Sequence, residues 1–486
     1  MKDLNRVNVE TDEKLPVKII QFGEGNFLRA FVDYAFSQLT KKAGLNAGIA
    51  VVQPIEQGMV SMLKAQDGLY TLFMNGISND KVIQEKELIS NISMCVNPYE
   101  DFDEYLELAS EKELKFVISN TTESGIAYDP DDLSSSTPPK SFPGKLTRLL
   151  FERYTHFSGD PGKGLILIPC ELINHNADTL KEIILKYIDL WDLGSGYKQW
   201  LLNHNSFHNT LVDRIVPGYP RGELKKYEDQ LAYKDNLIVT AESFFLWVIE
   251  GDEKLKQELP FEKTGLDVKI VDNMQPYRTR KVRILNGAHT AMVPFSLLYG
   301  NSTVRESVEN KFTGQFIRQA VYDEIIDTLP LGKDELVKFA NEIFDRFKNP
   351  FIVHQLSSIA LNSISKFKVR VLPSLLTYRE RTGKLPICLT YSFACLLQFY
   401  KGEWQGKKLP VQDSHEVMDI MANIWKNDDN DRIASEFLQK TEFWGQDLTK
   451  IPGLVKEISR ALSLIQEKGI EEGFSEFKGS IEQYSN

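Results

Sequence analysis

Val17-Lys-Ile-Ile-Gln-Phe22 runs straight into Gly23-Glu-Gly25-Asn-Phe27-Leu-Arg29-Ala30, and the reading of this stretch decides the fold. The first six residues are almost continuously apolar, as a strand buried on both faces requires. Two glycines follow, and Phe31, Tyr34, Ala35 and Leu39 then recur at helical spacing. A second short apolar run, Ile49 to Val52, ends at Gln53-Pro54, about where a βαβ unit closes. In such a unit Gly23 and Gly25 let the backbone turn tightly and approach a pyrophosphate, and the helix N-terminus adds partial positive charge. Two glycines in a loop are common, and by spacing alone a plain turn fits them slightly better than dinucleotide binding. Leu28 stands where the usual dinucleotide fingerprint has its third glycine. Gln53 and Pro54 replace the acidic residue that grips a ribose diol, with Glu56 slightly beyond them. No basic pocket for a 2′-phosphate is visible at that loop, which favours NAD over NADP.

Outward from this unit, Tyr70 to Met74 and Lys81 to Glu85 flank Asn75-Gly76 and predict an inserted hairpin. Lys115 to Ser119 predicts a buried strand delivering Asn120-Thr-Thr-Glu-Ser-Gly125 at its carboxyl end, where open α/β sheets place ligands. The Asp-, Ser- and Pro-rich stretch from Tyr128 to Lys145 reads as a surface loop. Gly164 to Ile168 is a parallel-type strand, leading through Cys170-Glu171-Leu172 to Asn174 and Asn176 and a helix from Asp178 to about Trp191. Val268 to Val271 is a last strand, and the domain boundary falls near Met274-Gln-Pro276. Beyond it, apolar residues recur at helical spacing between Pro330, Pro350, Pro373 and Pro386. The expected architecture is α/β: residues 1–274 form a Rossmann-type doubly wound domain with insertions, and 275–486 a mainly α-helical substrate and catalytic domain.

Lys281-Val-Arg-Ile-Leu-Asn286-Gly-Ala-His289 opens that second domain. At about 100° per residue, Asn286 lies roughly 140° and His289 roughly 80° round a helix from Lys281, so the three project into one sector. Leu285, Ala288 and Met292 form an adjoining apolar stripe. A lysine brought toward neutrality by desolvation, or by neighbours such as Arg280 and Arg283, can act as a general acid or base. An amide can donate to a carbonyl oxygen, and an imidazole can orient or relay the proton. The same residues also fit a solvated basic helix start.

Composition excludes several classes. The 486 residues suit two domains, and 42% hydrophobic with 26% charged residues describes a globular chain. A net charge of −11 argues against a nucleic-acid partner. Four scattered cysteines suggest neither a zinc site nor a disulfide framework. His204 and His208 have a zinc-like spacing without a third ligand, so no metal is expected. No run of 18 apolar residues occurs and the first residues lead to no signal-like apolar core, so the expectation is a cytoplasmic protein without a membrane partner, monomeric or a small homo-oligomer.

Several of these motifs resemble one family. Gly-x-Gly-x-Phe-x-Arg-Ala at 23–30, Thr122-Glu123-x-Gly125, Val212-Asp213-Arg214-Ile-x-Pro217, Glu242-x4-Trp247-x2-Glu250 and Lys281-x4-Asn286-x2-His289 look like the signatures of the mannitol dehydrogenases, the polyol-specific long-chain dehydrogenases. The resemblance implies that NAD (NADH) is held by Phe22, Gly23, Gly25, Asn26, Phe27, Arg29, Asn120, Thr121, Thr122, Glu123 and Asp213. It also implies that Lys281 is the acid/base, that Asn286 helps bind the developing alkoxide and that His289 assists. Asp213 and Arg214 can alternatively form a structural ion pair. The family's Cys-Asp-Asn reads Cys-Glu-Leu here, which removes a second oxyanion donor at Leu172; Asn174 or Asn176 can substitute. Cys170-Glu171-Leu-Ile173 matches the hexuronate reductase branch. Lys366 keeps a polyol-binding position, whereas Ser358 stands in place of its arginine partner. Lys366, Lys368 and Arg370 offer cations for a sugar-acid carboxylate, although Lys368 and Arg370 also fit a solvated face. The expected substrate-binding set is Glu171, Asn174, Lys366 and Arg370. The expected reaction is NADH-dependent reduction of the ketone of D-tagaturonate to D-altronate in hexuronate catabolism, with fructuronate or a neutral polyol as the alternative substrate.

Overall fold

The computed structural model describes residues 1–122 and 124–483. The chain divides into two compact units, Met1–Asn75 with Val82–Met274, and Gly76–Lys81 with Gln275–Asn486.

In the first unit six parallel strands lie side by side in the order Ile92–Val96, Gly48–Val52, Val17–Phe22, Phe116–Ser119, Ile166–Pro169, Ser206–Phe207. Numbered along the chain this is 3-2-1-4-5-6, the doubly wound order whose reversal between strands 1 and 4 opens a crevice at their carboxyl ends. Side-chain alternation builds both faces. Ile19, Ile49 and Val51 enter one apolar cluster with the Asn26–Ala43 helix, whereas Ile20, Phe22, Ala50 and Val52 enter another with the Phe142–His156 and Asn176–Leu190 helices. The third strand, Ile92-Ser-Met-Cys-Val96, carries no sequence signal of its own because it is short and interrupted by polar Ser93.

Two expectations change. The hairpin turns at Asn79-Asp80 rather than Asn75-Gly76. Both residues adopt left-handed backbone (φ 51 and 59), as a two-residue type I′ turn needs, and the strands extend over Tyr70–Ser78 and Lys81–Ile89. The Tyr128–Lys145 stretch is not merely a surface loop. Buried Asp132 accepts from the Lys140 and Ser141 N–H groups and the Ser141 hydroxyl at 2.7–2.9 Å, and fully buried Lys145 donates to Lys140 O at 2.8 Å. Burial lowers the Lys145 pKa to about 8.

The second unit is helical. The Gly287–Tyr299 and Ile387–Phe399 helices are buried along most of their length, and Leu454–Gln483 is interrupted by Gly469 (φ 77). The expected helix through Lys281 to His289 is not a single α-helix. Gln275–Arg280 is α, Lys281–Asn286 is a π-helical turn, and Gly287–Tyr299 is α again.

Two buried carboxyls set a pH dependence. Asp33 accepts from the Tyr70 hydroxyl at 2.8 Å, and Glu324 accepts from Cys388 and Leu389 N–H at 2.7 and 2.8 Å. Burial pushes each up to about 7 against those hydrogen bonds. A carboxyl with a raised folded pKa binds more protons folded than unfolded between the two values, so its contribution to stability falls as pH rises from about 4 to about 7. Each group should contribute a slope of about −1 kcal/mol per pH unit over that window. Urea unfolding of Asp33→Asn and Glu324→Gln at pH 5, 6 and 7 should show a shallower decline than the parent; parallel declines would refute it.

Candidate active site

The nucleotide end is built by backbone. Gly23 holds φ 122, and a Cβ there would stand 2.9 Å from Asn120 O; its N–H donates to Val52 O at 3.1 Å. The loop therefore lies across the carboxyl ends of strands 1, 2 and 4. Gly25 is the N-cap of Asn26–Ala43 with no side-chain cap, and a Cβ there would meet nothing within 4 Å. No acidic residue lies in the first turn. An uncapped helix start with open space in front of it fits a dinucleotide pyrophosphate.

The expected cofactor residues separate into two kinds. Phe22 points its ring into the core against Phe142 (4.9 Å), leaving its carbonyl to accept from Asn120 N–H at 3.1 Å. Phe27 stacks on Phe31 at 5.0 Å. Arg29 is 1% exposed and is a clamp rather than a surface contact: it donates to Glu24 O, Leu237 O and Asn26 Oδ1 at 3.1, 2.7 and 2.7 Å and lies over the Tyr70 ring. Asn120 donates to Cys170 O at 2.7 Å. Thr121 is half-buried, and Thr122 (φ 76) is exposed with its hydroxyl 3.1 Å from that of Ser124. Glu123 lies outside the described residues. Asp213 is buried at the end of the Thr210–Asp213 strand.

Arg214 donates to Glu242 O and Ala30 O at 2.9 and 2.6 Å, bracing the first helix. Gln53 is committed to its own loop, donating to Ile55 O and Glu56 O at 3.0 Å each, while Glu56 is exposed.

Glu171, expected to meet substrate, is 2% exposed. Its carboxylate accepts from Thr121 N–H, the Thr121 hydroxyl and the Ser119 hydroxyl at 3.0–3.1 Å. It is a brace for the 119–121 turn, and burial raises its pKa against those bonds. Asn176 is likewise used up, donating to Pro169 O and Glu171 O and accepting from Thr210 N–H. Asn174 is exposed. His208, half of the zinc-like pair, meets Glu250 O and Ser206 Oγ at 2.7 and 2.9 Å. Among the described residues no cluster of three or more metal-ligating side chains occurs.

In the second unit the π turn changes the geometry of the expected catalytic set, Lys281, Asn286 and His289. Gly287 N–H reaches Val282 O, five residues back. Such a turn holds more residues per revolution than an α-helix, so Lys281 and Asn286 stand closer round the axis than the roughly 140° of an α-helix. His289 follows three residues on, within about 60° of Asn286. All three are half-buried, and Leu285, Ala288 and Met292 are buried beside them. Arg280 does not stand free next to Lys281: it is 2% exposed, paired to Glu335 at 3.0 Å and seated over Phe339. Arg283 is half-buried, and burial lowers its pKa.

The Ser363–Arg370 helix adjoins this turn. A Cβ on Gly287 would lie 3.1 Å from Arg370 O, and the Arg370 guanidinium is 3.5 Å from Thr290 Oγ1. Lys366 donates to Ile359 O at 2.9 Å; burial first, then the Arg370 charge, lowers its pKa. The sequence reading missed two residues: the His289 ring lies 4.4 Å from Phe347 and 5.1 Å from His354. Neither shares a motif or a helical period with His289.

No helix among the described residues is long and apolar enough to cross a membrane. Residues 17–263 match the mannitol dehydrogenase Rossmann domain and 273–466 the mannitol dehydrogenase C-terminal domain. Altronate oxidoreductase of Yersinia enterocolitica is 46% identical over 94% of this chain and 95% of its own length, and that of Bacillus subtilis 45% identical over 98% of each. A crystal structure of D-sorbitol dehydrogenase superposes with a TM-score of 0.80 at 19% identity, covering 98% of this chain and 100% of that one. The ternary complex of Pseudomonas fluorescens mannitol 2-dehydrogenase with NAD and D-mannitol gives 0.65 at 23%, covering 98% and 99%. These two structures share the fold; the family follows from the two domain matches, which together cover most of the sequence, and the chain is an oxidoreductase of the mannitol dehydrogenase family.

Proposed function

We propose that the protein interconverts D-tagaturonate and D-altronate with NAD(H), as a step of hexuronate breakdown. The kinship with altronate oxidoreductases along nearly the whole chain is the observation that carries the substrate. Gly23, Gly25 and the first turn of Asn26–Ala43 would hold the pyrophosphate, with Asn120 to Thr122 beside the nicotinamide. The bound dinucleotide supplies or accepts the hydride. Lys281 gives the ketone oxygen its proton in reduction and takes it back in oxidation. Asn286, in the same π turn, donates to the oxygen as charge develops, and His289 orients or relays the proton. A lysine in this role supplies the acid and the positive charge that zinc supplies in other alcohol dehydrogenases, so the reaction needs no metal.

Lys366 and Arg370, two half-buried cations close enough to influence one another, suit a sugar-acid carboxylate. Arg370→Ala should raise the KM for tagaturonate about tenfold or more, the worth of a charged hydrogen bond, while the Kd for NADH stays within about twofold. An unchanged KM would remove Arg370 from the site.

The deciding assay follows NADH and NADPH oxidation with tagaturonate, fructuronate and fructose in parallel, with and without EDTA. Turnover with tagaturonate and NADH, preserved in chelator, is the expected result. Preference for fructuronate or fructose would move the enzyme to another branch of the family.

A further inference from the structure

The segment after the Lys333–Phe347 helix is irregular, yet it is fixed. Val304 N–H donates to His354 O at 3.0 Å, Leu356 N–H donates to Ser302 O at 2.9 Å, and Thr303 and Gln355 form an antiparallel bridge between them. This short ladder pins the backbone at His354 and Leu356, on both sides of Gln355, and the His354 ring meets that of His289 edge to face at an interplanar angle of 78°. On the same imidazole Phe347, the last residue of its helix, lies at 36°. The χ2 torsion of an imidazole is broad and two-fold, so packing against its faces and edges helps to set the ring plane. Two rings at different angles restrict that torsion by packing. At 5.1 Å between centroids the histidines are in ring contact, and the edge-to-face arrangement sets a positive ring edge against a negative ring face.

We propose that His354 is the positioning residue of His289: with Phe347 it fixes the plane of that imidazole, and so the direction in which its nitrogens point. The inference rests on the catalytic role proposed for His289. His354 itself neither touches the reacting atoms nor exchanges a proton with them. It is half-buried, and burial lowers its pKa.

The test is a double-mutant cycle on the full-length protein, reading kcat, KM for tagaturonate, Kd for NADH and the thermal midpoint. His354→Ala should lower kcat roughly 10- to 100-fold, the cost of misplacing a group in the site, with KM and Kd little changed. His354→Phe, which keeps a ring but no nitrogen, should recover most of that loss. In a His289→Ala background His354→Ala should cost no further kcat, because there is no imidazole left to hold. Additive losses, or a Phe variant as slow as the Ala variant, would overturn the proposal, as would a raised KM marking a direct substrate contact. If His289→Ala alone retains full turnover, the catalytic reading of His289 fails and this one with it; if His289→Ala is slow and His354→Ala is not, only the positioning role fails.

Discussion

Lys281→Ala should lose turnover by about 10²- to 10⁴-fold or more, the range that a positioned acid/base contributes, while binding NADH normally. Lys281 sits at the start of the π turn, half-buried, and its closest basic neighbour in sequence, Arg280, is already paired to Glu335. The positive charge at Lys281 is therefore not duplicated by Arg280. Lys281→Arg is a stricter version. It keeps a cation in place but puts there a group that does not release its proton near neutral pH, so it should be almost as slow as alanine. Single-turnover NADH oxidation with tagaturonate, alongside NADH fluorescence titration, separates chemistry from binding. Near-normal turnover of either variant would end the acid/base assignment. Asn286→Ala should follow with a smaller loss, on the order of 10²-fold, since it removes one donor to the developing oxyanion.

Arg29→Ala should destabilise the protein by about 3–5 kcal/mol, a large part of the roughly 5–15 kcal/mol that separates folded from unfolded chains. The guanidinium is buried and joins three places: Glu24 O in the glycine loop, Asn26 Oδ1 at the helix start and Leu237 O before the Val239–Glu242 strand. Tyr70 packs against it and donates to Asp33, whose buried carboxyl would lose the Arg29 charge that favours its ionised form. Truncation leaves two carbonyls without this donor and a cavity the size of the side chain. Arg29→Lys should also be poor, because one ammonium cannot span the fork of the guanidinium. Thermal unfolding measures the loss, and NADH titration below the transition should show weaker binding as well, since the clamp holds the glycine loop. A variant that binds NADH weakly at full stability would instead make Arg29 a direct cofactor contact.

The doubly wound sheet was legible because its strands are buried on both faces and must be written as apolar runs, as in Val17–Phe22 and Gly48–Val52. The glycine loop was legible because backbone at φ 122 beside Asn120 O admits no side chain. Where a residue's job is to satisfy buried backbone, sequence was a poor guide. Arg29 and Glu171 look like ligand-binding residues, because charge is the usual mark of a site. Only tertiary structure shows their charges spent on neighbouring carbonyls, amides and hydroxyls.

For the Lys281–His289 stretch, the residue types and their spacing were set by the sequence itself, so Lys281, Asn286 and His289 stood out as candidates. Helical spacing already put them in one sector; that the backbone there widens into a π turn, with Gly287 close against Arg370 O, is visible only in the tertiary structure. His354 and Phe347 reach His289 from more than fifty residues away in the chain. No local pattern encodes that meeting, because it depends on how a separate helix and a pinned loop pack against the Gly287–Tyr299 helix.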